Sequence, residues 1–327
     1  MFQDLTPDII MSAIEDHYPI RCNGSITPYN SYINRVYGVQ DDEGIPHIVK
    51  FYRPGRWSYD AIKDEHLFVQ ECDDADIPVI PPYTLTTGDT IGQVHDICFA
   101  LFPLRGGRTF DLTSDQDWVR LGSIVGRMHV IGKKQKVKDR IVLNPRVLAD
   151  HYHAVLLDNN LISPVCKDEF ADIFRKTISL ISPLFESVEM FRIHGDCHRG
   201  NILDRLEQGL LLIDFDDMMI GPAVQDLWLL LPGHHRESRV EMELLLSGYT
   251  QFTDFDYKTL HLIEPLRFMR IIYFLSWCAL QRDDQRFKHN FPDWGTEAFW
   301  IKEIEDMRYQ LAVIADHLGD DTLIMPG

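Results

Sequence analysis

The chain predicts an α+β protein: a small unit of antiparallel strands first, then a larger, mainly helical unit. Three observations predict it. Residues 32–40 and 45–53 alternate like the two strands of a hairpin, with Asp41-Asp42-Glu43-Gly44 as the turn. Phe102-Pro103-Leu104-Arg105-Gly106-Gly107 then punctuates the chain. Beyond it a helical period dominates, over 115–131, 145–158, 168–188, 223–231, 237–253, 257–281 and 294–316. The expected division is a β-rich lobe at 1–103 and a helical lobe at 104–327, a two-lobed arrangement.

Each element has a local reason. Residues 6–17 read as a capped amphipathic helix, with Thr6 as N-cap, Pro7 at the first helical position, and Ile9, Ile10, Ala13 and Ile14 on one face. A helix is expected from Ser58 to about Cys72, and two further strands over Pro82–Thr86 and Val94–Phe102. The apolar run Phe268–Leu280 is too short to cross a bilayer and carries Arg270, so it reads as a core helix.

The chain has 32 Lys and Arg against 50 Asp and Glu, a formal charge of −18. That excludes nucleic acid or an anionic membrane as the main partner, since both need a basic face. It does not exclude ATP, because a few local cations and Mg²⁺ can hold a polyphosphate inside an acidic protein. The cysteines, Cys22, Cys72, Cys98, Cys166, Cys197 and Cys278, form no C-x-x-C pair. A reduced, cytoplasmic compartment is therefore expected rather than a disulfide framework. Met1-Phe2-Gln3-Asp4-Leu5 has no basic region leading into an apolar core, so no signal peptide is expected. Separately, a monomer is expected.

The strongest chemical signal is His194-Gly195-Asp196-Cys197-His198-Arg199-Gly200-Asn201, followed by Asp214-Phe215-Asp216 at the end of the apolar run Leu210–Ile213. A kinase-type phosphoryl-transfer site needs one carboxylate beside the acceptor hydroxyl, and an amide and a carboxylate on metal. Asp196 sits in a polar turn where it can meet a hydroxyl. Asn201 and Asp214 offer hard oxygens that suit Mg²⁺. Each residue alone would pass for a turn residue or a cap; the joint spacing points to chemistry.

Lys50 is the only lysine in the strand-like run Ile45–Tyr52. It is a candidate for phosphate contact, with Glu65 on the following helix as its ion-pair partner; a solvent-facing strand lysine is the plainer alternative. There is no G-x-x-x-x-G-K-[ST] and no G-x-G-x-x-G. In the turn Pro28–Tyr37, backbone N–H groups and the Ser31 hydroxyl are candidates to meet phosphates, and a plain hairpin turn remains open. His194 and His198 are four apart but lack a partner set at zinc spacing, so His194 is expected to bond backbone. Cys197, beside Asp196, is either an inert packed residue or an oxidisable one. Trp228, Phe274, Trp277, Phe299 and Trp300 read as core before they read as a cage for a quaternary ammonium.

These motifs resemble a known family. His-Gly-Asp-x-His-x-Gly-Asn, Ile-Asp-Phe-Asp-Asp and Gly-Pro-x-x-x-Asp-Leu are similar to the aminoglycoside phosphotransferase and choline kinase superfamily. Asn30–Tyr37, Val49–Pro54, Gly221–Trp228 and Ile263–Arg267 resemble its bacterial stress-response serine/threonine protein kinase branch, over roughly residues 5–315. The resemblance implies a bilobal protein-kinase-like fold, with a small antiparallel-sheet lobe that binds nucleotide and a large helical lobe for catalysis and substrate. It implies ATP- and Mg²⁺-dependent phosphorylation of protein Ser/Thr, with autophosphorylation. By position, Asp196 is the catalytic base, Asn201 and Asp214 bind Mg²⁺, Lys50 and Ser31 lie at the ATP phosphates, and Asp226 anchors the catalytic loop. Adenine is expected near Ala100–Leu104. One departure stands out: Pro222 follows Asp214 by eight residues, which leaves no room for a long activation segment.

Two other readings stay open. One is a small-molecule kinase for an amino alcohol, homoserine or aminoglycoside hydroxyl. The other is a nucleotide-binding scaffold without catalysis, against which the joint presence of Lys50, Asp196, Asn201 and Asp214 argues.

Overall fold

The computed structural model describes residue 2, residues 4–31 and residues 33–319, other than the side chains of residues 207 and 286. Chain order begins with α1 (Pro7–His17), β1 (Cys22–Tyr29), β2 (Arg35–Asp41), β3 (Pro46–Phe51), α2 (Tyr59–Asp73), β4 (Gly92–Val94), β5 (Ile97–Pro103) and β6 (Arg108–Thr109). Then come α3 (Asp115–Gly132), α4 (Pro145–His153), α5 (Pro164–Ile181), β7 (Phe191–Ile193), β8 (Ile202–Asp204), β9 (Leu210–Leu212) and β10 (Met219–Gly221). The last elements are α6 (Val224–Trp228), α7 (Arg239–Tyr249), α8 (Ile263–Gln281), α9 (Gln285–Asn290) and α10 (Glu297–Leu318). The architecture is α+β: an antiparallel sheet in the N-terminal region and helices over most of the rest. The chain forms two compact units, one of residues 1–111, 130–140 and 198–218, the other of 112–129, 141–197 and 219–327.

The first unit is built on a five-stranded antiparallel sheet in the order β1-β2-β3-β5-β4. Strand side chains alternate between faces. Val49 and Phe51 point one way, into a core with Ile10 and Ile14 of α1 and Phe99 and Leu101 of β5. Each such fully buried side chain contributes about 1.5–3 kcal/mol. Lys50 therefore points the other way, toward the face where Tyr52 and Ala100 pack with Ile62 of α2. Helix α2 starts at Ser58, whose Oγ accepts from the Ala61 N–H at 3.1 Å. Its buried stripe, Ala61, Ile62, Glu65, His66, Phe68, Val69 and Cys72, has the helical period and brings Glu65 inside.

The second unit is helical apart from the β7–β10 pair. Helices α3 and α7 meet through glycines. A Cβ on Gly122 would lie 1.8 Å from the Leu245 carbonyl oxygen, and one on Gly248 would lie 2.0 Å from that of Val119. No helix among the described residues is long and apolar enough to cross a membrane.

Several elements differ from expectation. Cys22–Tyr29 is a strand that its sequence does not advertise, since Gly24 and Pro28 break the pattern. It survives as the sheet edge, with an irregular register between Cys22 and Ile26, where both residues are tolerated. The expected strand start at residue 32 lies outside the described residues; β2 is described from Arg35. Pro82–Thr86 is not a strand. Pro81 and Pro82 have no N–H to donate, and only Tyr83 donates across, to the Leu101 carbonyl at 2.7 Å. The expected helix 145–158 ends as α-helix at His153 and finishes in a π-turn, Ala154–Asp158. Helix α9 is too short to give a periodic signal.

Candidate functional site

The first unit gathers Lys50, Glu65 and Asp214 around one ammonium. Lys50 Nζ lies 3.6 Å from Glu65 Oε1, 3.6 Å from Asp214 Oδ1 and 3.0 Å from Asp216 Oδ1. The sequence reading paired Glu65 with Lys50 and gave Asp214 to metal; it missed Asp216, the nearest partner. Asp216 is also the most elaborately held. Arg56 Nε lies 3.3 Å from its Oδ2, and the Asn34 amide donates to its Oδ1 at 3.2 Å. Arg56 Nη2 reaches Asp217 at 2.5 Å. Arg140, buried, donates to the backbone carbonyls of Met218, Ala61 and Asp216, and its guanidinium stacks 4.0 Å from the Trp57 ring centroid. The doubled acid Asp216-Asp217 and the basic Arg53-Pro54-Gly55-Arg56 were legible hints of this cluster; Arg140 offered none.

Electrostatics divides the labour among these groups. Burial opposes the Lys50 charge, but Asp216, Glu65 and Asp214 outweigh it and hold the ammonium well above the ordinary lysine range. Burial would likewise protonate Asp216; Lys50, Arg56 and Arg140 overcome that and hold its carboxyl below the usual range. Glu65 goes the other way. Burial raises it first, and the negative Asp216 and Asp214 add to that against Lys50 and Arg140. Asp216 is therefore the firm counter-ion and Glu65 the weaker acid.

Asp214 carries the exposed carboxylate of the group, its side chain 58% accessible. It takes a left-handed backbone, φ 63° and ψ 66°, before the turn Phe215–Asp217. That conformation is costly for a non-glycine residue and clusters at functional sites. Here it lets Asp214 and Asp216 both face Lys50 while Phe215 turns to pack edge-on against Phe68 of α2 at 5.9 Å. Asn201 is joined to this strand end by backbone, its carbonyl accepting from the Ile213 N–H at 3.0 Å. Asn201 and Asp214 thus stand at the same end of the β8–β9 pair, whose register sets Ile202 opposite Leu212. A buried amide and an exposed carboxylate are hard oxygen donors of the kind Mg²⁺ takes together with phosphate and water. Ser31 lies in the loop between β1 and β2, half-buried, beside Tyr32, which is outside the described residues.

Asp196 belongs to the second unit, on a turn held almost entirely through its backbone. Gly195 has φ 83°, which glycine adopts freely. The buried Asp226 carboxylate accepts from the His194 and Gly195 N–H groups, each at 2.8 Å. Gln225 donates to the Gly195 carbonyl at 3.1 Å. His129 donates from Nε2 to Asp226 at 3.0 Å, and its Nδ1 meets the Tyr249 hydroxyl at 2.9 Å. His194 Nδ1 accepts from the Asp196 N–H at 3.3 Å, so this histidine bonds the turn. His198 caps the turn Arg199–Asn201 by accepting from the Gly200 N–H at 2.9 Å. A Cβ on residue 200 would meet the His198 ring at 2.7 Å, which accounts for the glycine. The Asp196 carboxylate itself meets Arg270 of α8, Nη2 to Oδ1 at 2.7 Å, a partner the sequence did not suggest. Burial, then Asp226 and Asp196, push the Cys197 thiol well up, which suppresses the thiolate that oxidation requires.

A model of the phosphotransferase enzyme family matches residues 25–263. The chain belongs to that family. Stress response kinase A of Escherichia coli (strain K12) is 37% identical over 316 residues, covering 96% of this chain and 95% of the relative. Serine/threonine protein kinase RdoA of Salmonella typhimurium (strain LT2) is 36% identical over 303 residues, covering 92% and 91%. Among solved structures, the amicoumacin kinase hAmiN in complex with AMP-PNP, Ca²⁺ and Ami has a TM-score of 0.72 at 20% identity, covering 91% of this chain and 93% of that one. A microcompartment-associated aminopropanol kinase has a TM-score of 0.69 at 18% identity, covering 97% and 99%. The fold is therefore the kinase-like fold of this family, and the phosphotransferase is an ATP-dependent kinase of the stress-response branch.

Proposed function

We propose that this phosphotransferase moves the γ-phosphoryl group of ATP, with Mg²⁺, to serine and threonine hydroxyls of proteins, its own included. The observation that carries the reading is near-full-length identity above one third to relatives named stress response kinase A and serine/threonine protein kinase RdoA. Under this reading residues 1–103 bind nucleotide and residues 104–327 supply catalysis and the acceptor site. The protein acts as a cytoplasmic monomer.

The roles follow from chemistry. Lys50, kept protonated by Asp216 and Glu65, supports the phosphate oxygens, with Ser31 beside them. The backbone of Ala100–Leu104 meets adenine. Asn201 and Asp214 would hold Mg²⁺, which would neutralise phosphate charge. Asp196 receives the proton of the acceptor hydroxyl as its oxygen bonds to the γ-phosphorus. The bond from that phosphorus to the bridging oxygen breaks, and ADP leaves with the electron pair. Transfer of this kind is mostly positioning and charge stabilisation, which suits a site built from fixed carboxylates and backbone-anchored turns.

A second reading, transfer to a small hydroxyl compound, is favoured by one observation. Only the turn Phe215–Asp217 and β10 separate Asp214 from Pro222, so no long segment is present to seat a peptide. Labelled ATP and Mg²⁺, offered with the protein alone, with a mixed protein acceptor and with a panel of hydroxyl metabolites, separates the two. Label on protein that disappears in Asp196→Asn supports the first reading. Label on a metabolite alone replaces it with the second. Tight ATP binding without any transfer overturns both.

A further inference from the structure

We infer that Arg270 is a positioning residue for phosphoryl transfer: it aims the Asp196 carboxylate at the acceptor hydroxyl. The inference rests on the reading of Asp196 as the base.

The backbone around Asp196 is fixed from beneath by Asp226, Gln225 and His194. Those contacts place the Cα; the direction of the carboxylate depends on what its oxygens meet. The terminal torsion of an aspartate is broad and roughly two-fold, so the backbone alone leaves the oxygens poorly aimed. Arg270 supplies one constraint on that direction, an ion pair with Nη2 2.7 Å from Oδ1. Fixing one oxygen of a planar carboxylate fixes the direction of the other.

Arg270 is itself steered. Its guanidinium lies 5.2 Å from the ring centroid of Tyr273, one turn further along α8. One turn earlier, Arg267 ties the helix down through Glu264, the Gly233 carbonyl and the Trp228 ring. The pair is poorly placed to act as a structural bond, because the Arg270 side chain is one-third accessible and accessible ion pairs add little to stability. The His129–Asp226 pair, wholly buried, is the structural counterpart in the same unit. An arginine at the end of a well-anchored helix turn, spent on a partly accessible carboxylate, fits an orienting role.

The test uses the intact protein and an acceptor that is always present, water. Steady-state ATP hydrolysis with Mg²⁺ is measured for wild type, Arg270→Ala, Arg270→Lys, Asp196→Asn and the double variant Asp196→Asn/Arg270→Ala. Misplacing a reacting group by about 1 Å costs on the order of 10²-fold. Arg270→Ala should therefore lower kcat by roughly 10- to 100-fold, with KM for ATP little changed. Arg270→Lys should recover part of the loss, since an ammonium reaches the same oxygen without the fork. In the Asp196→Asn background the alanine change should add almost nothing. A wild-type kcat in Arg270→Ala, or a loss that persists undiminished beside Asp196→Asn, overturns the inference and leaves the kinase reading intact. Full activity in Asp196→Asn overturns both. If Arg270→Ala shows no cooperative melt, Arg270→Gln carries the test, and wild-type kcat in that variant overturns the inference.

Discussion

Asp216, rather than Glu65, is the principal counter-ion of Lys50, and that ranking has a measurable consequence. Breaking a buried ion pair by removing one partner costs about 3–5 kcal/mol, because the remaining charge is left uncompensated. Asp216→Asn takes the nearest carboxylate from Lys50 and one of two from Arg56, whereas Glu65→Gln leaves Lys50 with its nearer partner. Urea unfolding should show the asparagine variant less stable than the glutamine variant by at least about 1 kcal/mol; equal losses, or the reverse order, would contradict the ranking. His66 gives a second test at the same scale. Its Nε2 meets the Tyr52 hydroxyl and its Nδ1 the Thr90 hydroxyl, each at 2.8 Å, and burial first, then Lys50, push its pKa down to about 3. Above the ordinary histidine value near 6.5 both native and unfolded chains hold it neutral, and its contribution is complete. Below that value the unfolded chain takes up a proton that the native chain refuses until about pH 3. Stability should therefore fall with acidification across this window, by about 1.4 kcal/mol per pH unit from this group. His66→Gln should flatten the fall between about pH 6.5 and pH 4.5, as read from urea midpoints; an unchanged slope would show that another group is responsible.

At the scale of elements, the contact between α3 and α7 depends on having no side chain at Gly122 and Gly248. A methyl at either position would overlap backbone of the facing helix, which cannot turn aside as a side chain can. Gly122→Ala and Gly248→Ala should each cost about 1–3 kcal/mol or more, against nearly nothing for Gly106→Ala, where a Cβ meets open space. Neutral melts for the two helical variants would rule out the close approach. Neither glycine looks special in sequence, because a glycine inside a helical period reads as a mild propensity defect. The same limit explains what else was and was not legible. The period of α1, the strand alternation around Lys50 and the spacing of Asp196, Asn201 and Asp214 are local patterns, readable from neighbours along the chain. Asp216 meets Asn34 across 182 positions, and Arg140 meets Asp216 across 76. No local pattern encodes such partners, so the sequence identified the carboxylates that do chemistry better than the cations that hold them. Cys22–Tyr29 was missed for the converse reason: its local signals are those of a turn, and the neighbouring strand overrides them.

At the scale of the molecule, each compact unit is assembled from three separate stretches of chain. The first unit takes its sheet from residues 1–111 but part of its charge cluster from elsewhere: Arg140 from 130–140, and Asp214 and Asp216 from 198–218. Residues 198–218 also provide β8, the pairing partner of β6, and Phe215, which packs on α2. A fragment of residues 1–111 would keep Lys50 beside Glu65, yet lose Asp216, the Arg140 bonds that tie down Ala61, and the Phe68–Phe215 contact. Domains are stable by only about 5–15 kcal/mol, and losing the buried counter-ion alone removes about 3–5 of that. The fragment is therefore expected to show no cooperative thermal transition by circular dichroism, whereas the full chain shows one. Adding residues 130–140 and 198–218 through short flexible linkers should restore it, because those segments complete the charge cluster and the small sheet. A cooperative melt from the unsupplemented fragment would mean that the strands and helices of 1–111 suffice, and that the distant carboxylates serve the chemistry without holding the fold.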